Sequence, residues 1–476
     1  MTDQTLLITN AELLSSSGSL TNIAISGGYI TAIGQIAATD TERVINAKGG
    51  LLIPGLHDHH VHLISYAASL ESVRCGPPEV LSEQALIETL NNQPGKHWLR
   101  GIGYHESVLP NLDRDWLDSN GPDRPIRIQH RSGRLWVLNS QALEIIEDAA
   151  ANLARHEQQR LASGDGRLYD VDELLGSLMR PEPPPVDIAS QKLVTFGITG
   201  INDMTPSNDA DTWNWFSELQ TAGQLLQKVR LSGRPELTNC NDIGDSLTVG
   251  ETKIHLHDSS LPDFHELVEI INTSHQRNRP VAVHCVTEIE LVFTLSAFST
   301  AGTRQGDRIE HASVVPPTLV QQLRELELGV VTQPNFIYER GDAYLNDIDS
   351  KEHSYLYRCG SLIDAGIPVA FGTDLPFGNP DPWVAIKAAI SRETVSGEHL
   401  GTTECINLST ALHGFLGDLS QPFQPRTISP GQPADCCLLD VPLKGMASDL
   451  SSAHVRMTIR NGETIYTRDS LDKTSR

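Results

Sequence analysis

The stretch that decides the fold is Leu51-Leu52-Ile53-Pro54-Gly55-Leu56-His57-Asp58-His59-His60-Val61-His62. Its first three residues are apolar and strand-like, and Pro54-Gly55 punctuates them before four histidines that fall within residues 57–62. On extended backbone, residues two apart face the same side. His60 and His62 therefore aim both imidazoles at one point. Neutral imidazole is the commonest metal-binding side chain, and zinc takes such nitrogens at about 2.0–2.1 Å. An isolated His-x-His pair reads equally as a surface cluster or as core histidines with hydrogen-bonded rings. Metal binding therefore needs donors from elsewhere in the chain.

Downstream, His284 ends the apolar run Val281-Ala282-Val283, His311 ends Arg308-Ile309-Glu310, and Asp374 ends Phe371-Gly372-Thr373. Taken singly, each reads as a strand-end residue that caps a helix or meets solvent. Their surroundings give them a common place. From about residue 190 the chain alternates strand-like and helical runs: 199–204, 228–232, 252–256, 281–285 before a helix from about Glu288, 308–311, a helix opened by Pro316-Pro317, 330–333 and 368–372. So many strand–helix units predict a parallel sheet closed into a βα barrel, whose active sites lie at the C-terminal strand ends. His60, His62, His284, His311 and Asp374 all fall at such ends. Lys253, in Glu251-Thr252-Lys253-Ile254-His255, is the lysine of interest. An inward lysine on a barrel strand is costly without a partner. Carboxylated, it becomes an oxygen ligand able to bridge two metals; otherwise it is an ordinary ammonium in water.

The two chain ends read differently from the middle. Residues 6–9, 22–26, 29–33 and 43–45 are short strand runs, and Gly27-Gly28 marks a hairpin. Residues 436–441, 457–460 and 463–466 repeat the pattern, the last two around Asn461-Gly462. The expectation is α/β: a distorted (β/α)8 TIM-type barrel with a small composite β-sandwich from both termini. Residues 1–55 and 405–476 would form the sandwich and 56–404 the barrel. An insertion at about 75–190 would cover the barrel mouth; it contains Gly164-Asp165-Gly166 and Pro181-Glu182-Pro183-Pro184-Pro185.

Composition narrows the class. With 39% hydrophobic and 20% charged residues, the 476-residue chain can fill a core. A net charge of −24 argues against nucleic acid and anionic membrane as partners and otherwise mostly serves solubility. Met1-Thr2-Asp3-Gln4 opens neither a basic nor an apolar leader, and no apolar run reaches the ~18 residues of a membrane span. The seven cysteines are scattered without a CxxC pair, which suits reduced thiols in a cytoplasm. Oligomeric state is not written in the sequence, and a homo-oligomer stays open.

These segments together resemble the amidohydrolase superfamily, in particular the branch of N-substituted formamide deformylases (amidohydrolase family 3). The resemblance is carried by residues 49–63, by Gly197-Ile198-Thr199-Gly200-Ile201-Asn202-Asp203-Met204, by Arg308-Ile309-Glu310-His311 and by Gly372-Thr373-Asp374-Leu375-Pro376. It continues through Ile428-Ser429-Pro430-Gly431-Gln432-Pro433-Ala434-Asp435 and so spans nearly the whole chain. It implies that His60, His62 and Asp374 hold one metal, His284 and His311 a second, and a carboxylated Lys253 bridges them. Zinc is the default, as one or two ions per chain. The resemblance also implies substrate contacts from the insertion, at Tyr104, His105, Arg131, Arg134 and Trp136; many relatives carry a histidine near Arg134.

The chemistry expected is hydrolysis of an amide-like carbon–nitrogen bond by metal-activated hydroxide, with Asp374 as general base. Asp58 would either orient a ligand imidazole or act as a structural acceptor. One rival is deamination of an aminated heterocycle. Barrels of that kind place a glutamate three residues after the fifth-strand histidine, where this chain has Thr287 and then Glu288. The other rival is a non-catalytic metal-binding scaffold, against which stands the retention of all six candidate ligands.

Overall fold

Eight parallel strands form the central sheet of the computed structural model, which describes residues 5–468 except 17, 38–42, 78, 96, 180–183, 238, 239 and 241. Residues 1–4 and the prolines at 181 and 183 thus lie outside the described residues. The strands are β1 (Leu56–Val61), β2 (Ile198–Asp203), β3 (Lys228–Gly233), β4 (Leu247–His255), β5 (Val281–Cys285), β6 (Arg308–His311), β7 (Gly329–Thr332) and β8 (Val369–Phe371). Neighbours in the sheet follow chain order from β1 to β8. Just past β8 the circle closes: Asp374 N–H donates to the His60 carbonyl and His62 N–H to the Leu375 carbonyl, each at 2.9 Å. The chain is therefore an α/β barrel, as its repeated strand–helix rhythm predicted.

Every residue of β1, β2, β6 and β7 is buried, as expected for parallel strands covered on both faces. Helices cover the outside. Phe264–Gln276 starts at Asp263, whose carboxylate accepts the backbone N–H groups of His265 and Glu266. Glu288–Ala301 starts with a capping box between Thr287 and Glu290. Val281, Val283, Ile309 and Val330 of the sheet pack against Leu267, Ile271, Leu291, Leu295 and Leu323 of the helices. Each such side chain contributes about 1.5–3 kcal/mol on burial.

A second sheet joins both chain ends. Its path is Glu463–Thr467, Val455–Arg460, Cys436–Leu439, Leu51–Pro54, Leu6–Leu13, Leu20–Ser26 and Tyr29–Gly34, with Arg43–Asn46 parallel to Leu6–Leu13. Gly27-Gly28 and Asn461-Gly462 turn its hairpins with all four residues at positive φ, the geometry of primed two-residue turns. Ile8, Ile23, Ile25, Leu52, Leu438 and Ile459 fill its core. The apolar run at 51–53 thus belongs to this sheet, not to the barrel. Pro54 ends one strand and Leu56 starts another, so His57, His59 and His60 lie on β1 itself and His62 just beyond it. At Gly55 a Cβ would stand 2.3 Å from Thr199, so this crossing admits no side chain.

Two compact units divide the chain, residues 1–63 with 187–476, and residues 64–186. The second has its own five-stranded sheet, in the order Arg167–Tyr169, Leu135–Leu138, Ile126–His130, Leu99–Tyr104 and Val73–Arg74. It also has its own apolar cores. Among the described residues no helix is long and apolar enough to cross a membrane.

Gly197 enters β2 at φ +86°, and a Cβ there would meet Cys437 Sγ at 2.6 Å. Gly197→Ala combines a left-handed alanine, about 1–2 kcal/mol, with overpacking of about 1–3 kcal/mol. Its thermal midpoint should fall clearly below the parent's; an unchanged melt would show that the segment relaxes freely.

Candidate metal centre

The six candidate ligands come from five strand ends. His60 lies near the end of β1 with His62 just beyond it; Lys253 is in β4, His284 in β5, His311 closes β6, and Asp374 follows β8. His60 Nε2 and His62 Nε2 stand 3.6 and 3.3 Å from Asp374 Oδ1. The three donors all lie within 4.8 Å of one another. Ligands about 2.0–2.1 Å from a tetrahedral ion are about 3.3 Å apart, so this spacing suits one cation. His311 and His284 continue the group through their rings: centroids are 4.6 Å apart for His60–His311 and 4.4 Å for His311–His284. Lys253 makes no hydrogen bond there and acts only through its charge, on Glu310 and Asp374 among others.

Distant partners set the ring tautomers. His60 Nδ1 donates to Glu310 Oε2 at 2.6 Å, and His311 Nδ1 to the Gln333 side-chain oxygen at 2.8 Å. Each contact fixes the proton on Nδ1 and leaves Nε2 with its lone pair, the usual arrangement of an oriented metal ligand. His62 Nδ1 meets Thr205 Oγ1 at 3.0 Å. Glu310 is itself held: Arg308 Nε donates to its other oxygen at 2.5 Å, and Arg308 Nη1 donates to Glu251 at 3.0 Å. Arg230, Ser232 and Asn202 complete the shell of Glu251. Burial opposes the Arg308 charge, but Glu251 and Glu310 more than offset it and raise its pKa.

Backbone constraints concentrate at the same place. His311 and Asp374 sit at φ 68° and 57°, left-handed conformations that cost about 1–3 kcal/mol in non-glycine residues. Gly372 must be a glycine, because a Cβ would lie 2.4 Å from His60 Cβ. Asp58 proves to be the structural acceptor. It takes hydrogen bonds from Thr373 N–H at 3.0 Å, Thr373 Oγ1 at 2.6 Å and His60 N–H at 3.3 Å. It ties β1 to the segment carrying Asp374 and touches no imidazole nitrogen.

Burial lowers the pKa of His60 and His284 well below the ordinary histidine range, and that of His311 to about 4. These rings are neutral, as ligands must be. Burial also lowers Lys253 to about 8. It would raise Asp374, but the neighbouring His62, His60 and His311 imidazoles hold that carboxylate well below its usual range. His60 Nε2, Asp374 Oδ1 and Lys253 Nζ are buried with no hydrogen-bond partner. An unsatisfied buried polar atom costs about 1–3 kcal/mol. A divalent cation between the imidazoles and the carboxylate satisfies the first two, so the donor set fits a metal.

Sequence reasoning did not single out Glu310, Gln333 or Thr205, nor His255 and His257. The His255 ring lies 4.1 Å from that of His284 and 4.5 Å from that of His257, extending the row of imidazoles. Their Lys-x-His-x-His alternation carried the same period-two signal as His60 and His62.

The residues expected to contact substrate belong to the second unit. Tyr104 is buried and its hydroxyl donates to the Leu109 carbonyl at 2.7 Å. Trp136 is buried with Nε1 donating to Asp172 at 2.9 Å. Arg134 pairs with both Asp170 oxygens, at 2.8 and 2.7 Å. Arg131 donates its backbone N–H to the Tyr104 carbonyl, and His105 stacks against His130 with centroids 5.9 Å apart.

The amidohydrolase family model matches residues 43–466. The chain is 24% identical to an N-substituted formamide deformylase of Arthrobacter pascens, over 94% of this chain and 95% of that protein. It is 22% identical to the putative amidohydrolase YtcJ of Bacillus subtilis (strain 168), over 93% of each. Among solved structures, an uncharacterized metal-dependent hydrolase from Pyrococcus horikoshii OT3 shares the fold at a TM-score of 0.74. That match is 20% identical and covers 95% of this chain and 100% of the other.

Glu310→Gln keeps the shape but removes the charge that balances Arg308 and fixes the His60 tautomer. Metal affinity, measured by chelator competition, should fall about 10–100-fold. Unaltered affinity would release Glu310 from this role.

Proposed function

The chain belongs to the amidohydrolase family, and from that premise we propose that it cleaves an amide-like bond of a small molecule with Asp374 as general base. It is a hydrolase of carbon–nitrogen bonds other than peptide bonds. In this reading His60, His62 and Asp374 would hold one zinc ion, His284 and His311 would serve a second, and Lys253, once carboxylated, would add an oxygen ligand. When bound, the metal supplies Lewis acidity and brings the pKa of water from about 15.7 toward about 7.

The residues do the rest. Asp374 takes the proton of the attacking water and returns it to the leaving nitrogen. Glu310 and Gln333 keep the Nε2 lone pairs of His60 and His311 turned toward the site. Phe377 packs edge-on against His62, with ring centroids 5.5 Å apart. The observation that carries the reading is the Asp374 carboxylate itself: buried, ionised and facing two histidine rings, with one oxygen lacking any hydrogen bond.

A specific observation favours amide cleavage over ring deamination. Thr287, at the position where a deaminase would carry its glutamate, spends its hydroxyl capping a helix. Glu288 is exposed, and the buried Glu290 accepts the backbone N–H groups of Asp258, Val286 and Thr287. Thr287 and Glu290 are thus engaged with backbone N–H groups, and Glu288 faces solvent. The Arthrobacter relative's name directs the substrate screen to N-acyl and N-formyl amides.

Asp374→Asn should retain bound metal on the two imidazoles while turnover on the amide panel falls about 10²–10⁴-fold. Full activity in that variant removes Asp374 from the chemistry. Stripping the metal with a chelator should abolish turnover and added zinc should restore it; activity that survives complete metal removal defeats the metal-dependent reading.

A further inference from the structure

In the second unit, strands Leu99–Tyr104 and Ile126–His130 are parallel neighbours with Tyr104 opposite His130. That register sets His105, the first residue beyond one strand, beside His130, the last residue of the other. This is the device that gathers ligands at the barrel rim, repeated on a separate sheet. Glu106 lies between the rings. Its Oε2 is 3.0 Å from His130 Nε2 and 3.7 Å from His105 Nε2, and the three donor atoms lie within 4.8 Å of one another. The corresponding distances among His60, His62 and Asp374 are 3.6 and 3.3 Å. Both sets lie close to the spacing of about 3.3 Å that tetrahedral zinc requires.

The far side of each ring is also alike. The sequence repeats His-x-Ser, as His105-Glu106-Ser107 and His130-Arg131-Ser132. In both, the serine hydroxyl lies 2.8 Å from the histidine Nδ1. The serine backbone N–H groups also donate to Nδ1, at the longer distances of 3.2 and 3.1 Å. With the proton on Nδ1, each ring exchanges that longer contact for a donated bond to the hydroxyl and frees Nε2 for a metal. The imidazole side chains are 26% and 13% exposed and that of Glu106 is 49% exposed, so an ion can enter from solvent.

We propose that His105, Glu106 and His130 form a second, separate divalent transition-metal site, with two imidazole nitrogens and one carboxylate oxygen as ligands. Two nitrogens and an oxygen select zinc-like ions over calcium or magnesium, which prefer all-oxygen shells. A three-ligand set also leaves a coordination position open. The site rests on neither the barrel ligands nor the proposed amide chemistry.

The test uses the full chain, stripped of metal and titrated with cobalt(II) chloride. Bound ions are counted by equilibrium dialysis and the coordination is read from the visible absorption bands. His130→Ala and Glu106→Gln should each bind one cobalt fewer per chain than the parent, with unchanged circular dichroism. Glu106→Gln guards against a folding effect, because Glu106 is half exposed. Ser132→Ala should weaken that same ion about tenfold or more. His62→Ala should remove a different ion and leave this one in place. If both His130→Ala and Glu106→Gln bind as many ions as the parent with equal affinity, the proposed site is overturned, whatever His62→Ala does. If His62→Ala alone leaves the count unchanged, the barrel centre fails and this one stands.

Discussion

The closing seam of the barrel is the constraint from which the rest follows. Buried backbone N–H and C=O groups must be paired, and the edge of β1 finds its partners not in β8 but in the residues just beyond it. Asp374 N–H donates to the His60 carbonyl and His62 N–H to the Leu375 carbonyl. Those two bonds complete the circle and in the same act carry the Asp374 carboxylate to the His60 and His62 rings, across more than half of the chain. Gly372 and the Asp58–Thr373 pair hold the seam shut, the first because a side chain would collide with His60, the second because Asp58 accepts both Thr373 donors. Closure of the barrel and assembly of the centre are therefore one event.

Behind that seam lies a row of buried charge. Arg230 and Arg308 share Glu251, Arg308 also donates to Glu310, and Glu310 accepts from His60. Burying such a row is expensive, and removing one member of a buried ion pair is worse, at about 3–5 kcal/mol. A hydrophobic core could fill the same volume more stably. What a hydrophobic core lacks is an acceptor at a fixed point behind a ligand imidazole. The row ends on His60 Nδ1, so its charge is converted into ring orientation.

Much of the frame was legible in the sequence. Several barrel strands announced themselves as strand-like runs closed by His or Asp, among them those at 198–203 and 308–311. The hairpins were written in Gly27-Gly28 and Asn461-Gly462, where only a few residue types tolerate positive φ. The sheet change at Pro54-Gly55 was harder, because an apolar run reads the same whichever sheet receives it. Glu310, Gln333 and Thr205 were hidden for a different reason. Each matters through a partner far away in the chain, and local periodicity contains no information about long-range pairs. The polar tips of Tyr104 and Trp136 meet a backbone carbonyl and Asp172, partners that local sequence pattern does not name.

Three kinds of cost converge on the barrel rim. His311 and Asp374 hold left-handed backbone, His60 Nε2 and Asp374 Oδ1 are buried without partners, and Lys253 Nζ is buried without a hydrogen bond. Domains survive on a net stability of only about 5–15 kcal/mol, so penalties of about 1–3 kcal/mol each are a large fraction of the total. A fold selected for stability alone would relax the φ angles and replace the lysine. Keeping them is consistent with a site already shaped for its ligand, where the cation relieves what the polypeptide by itself leaves unsatisfied. The same reasoning explains why the penalties cluster at the C-terminal strand ends: there the side chains project from rigid strands, and the helices and hairpins that stabilise the molecule lie elsewhere.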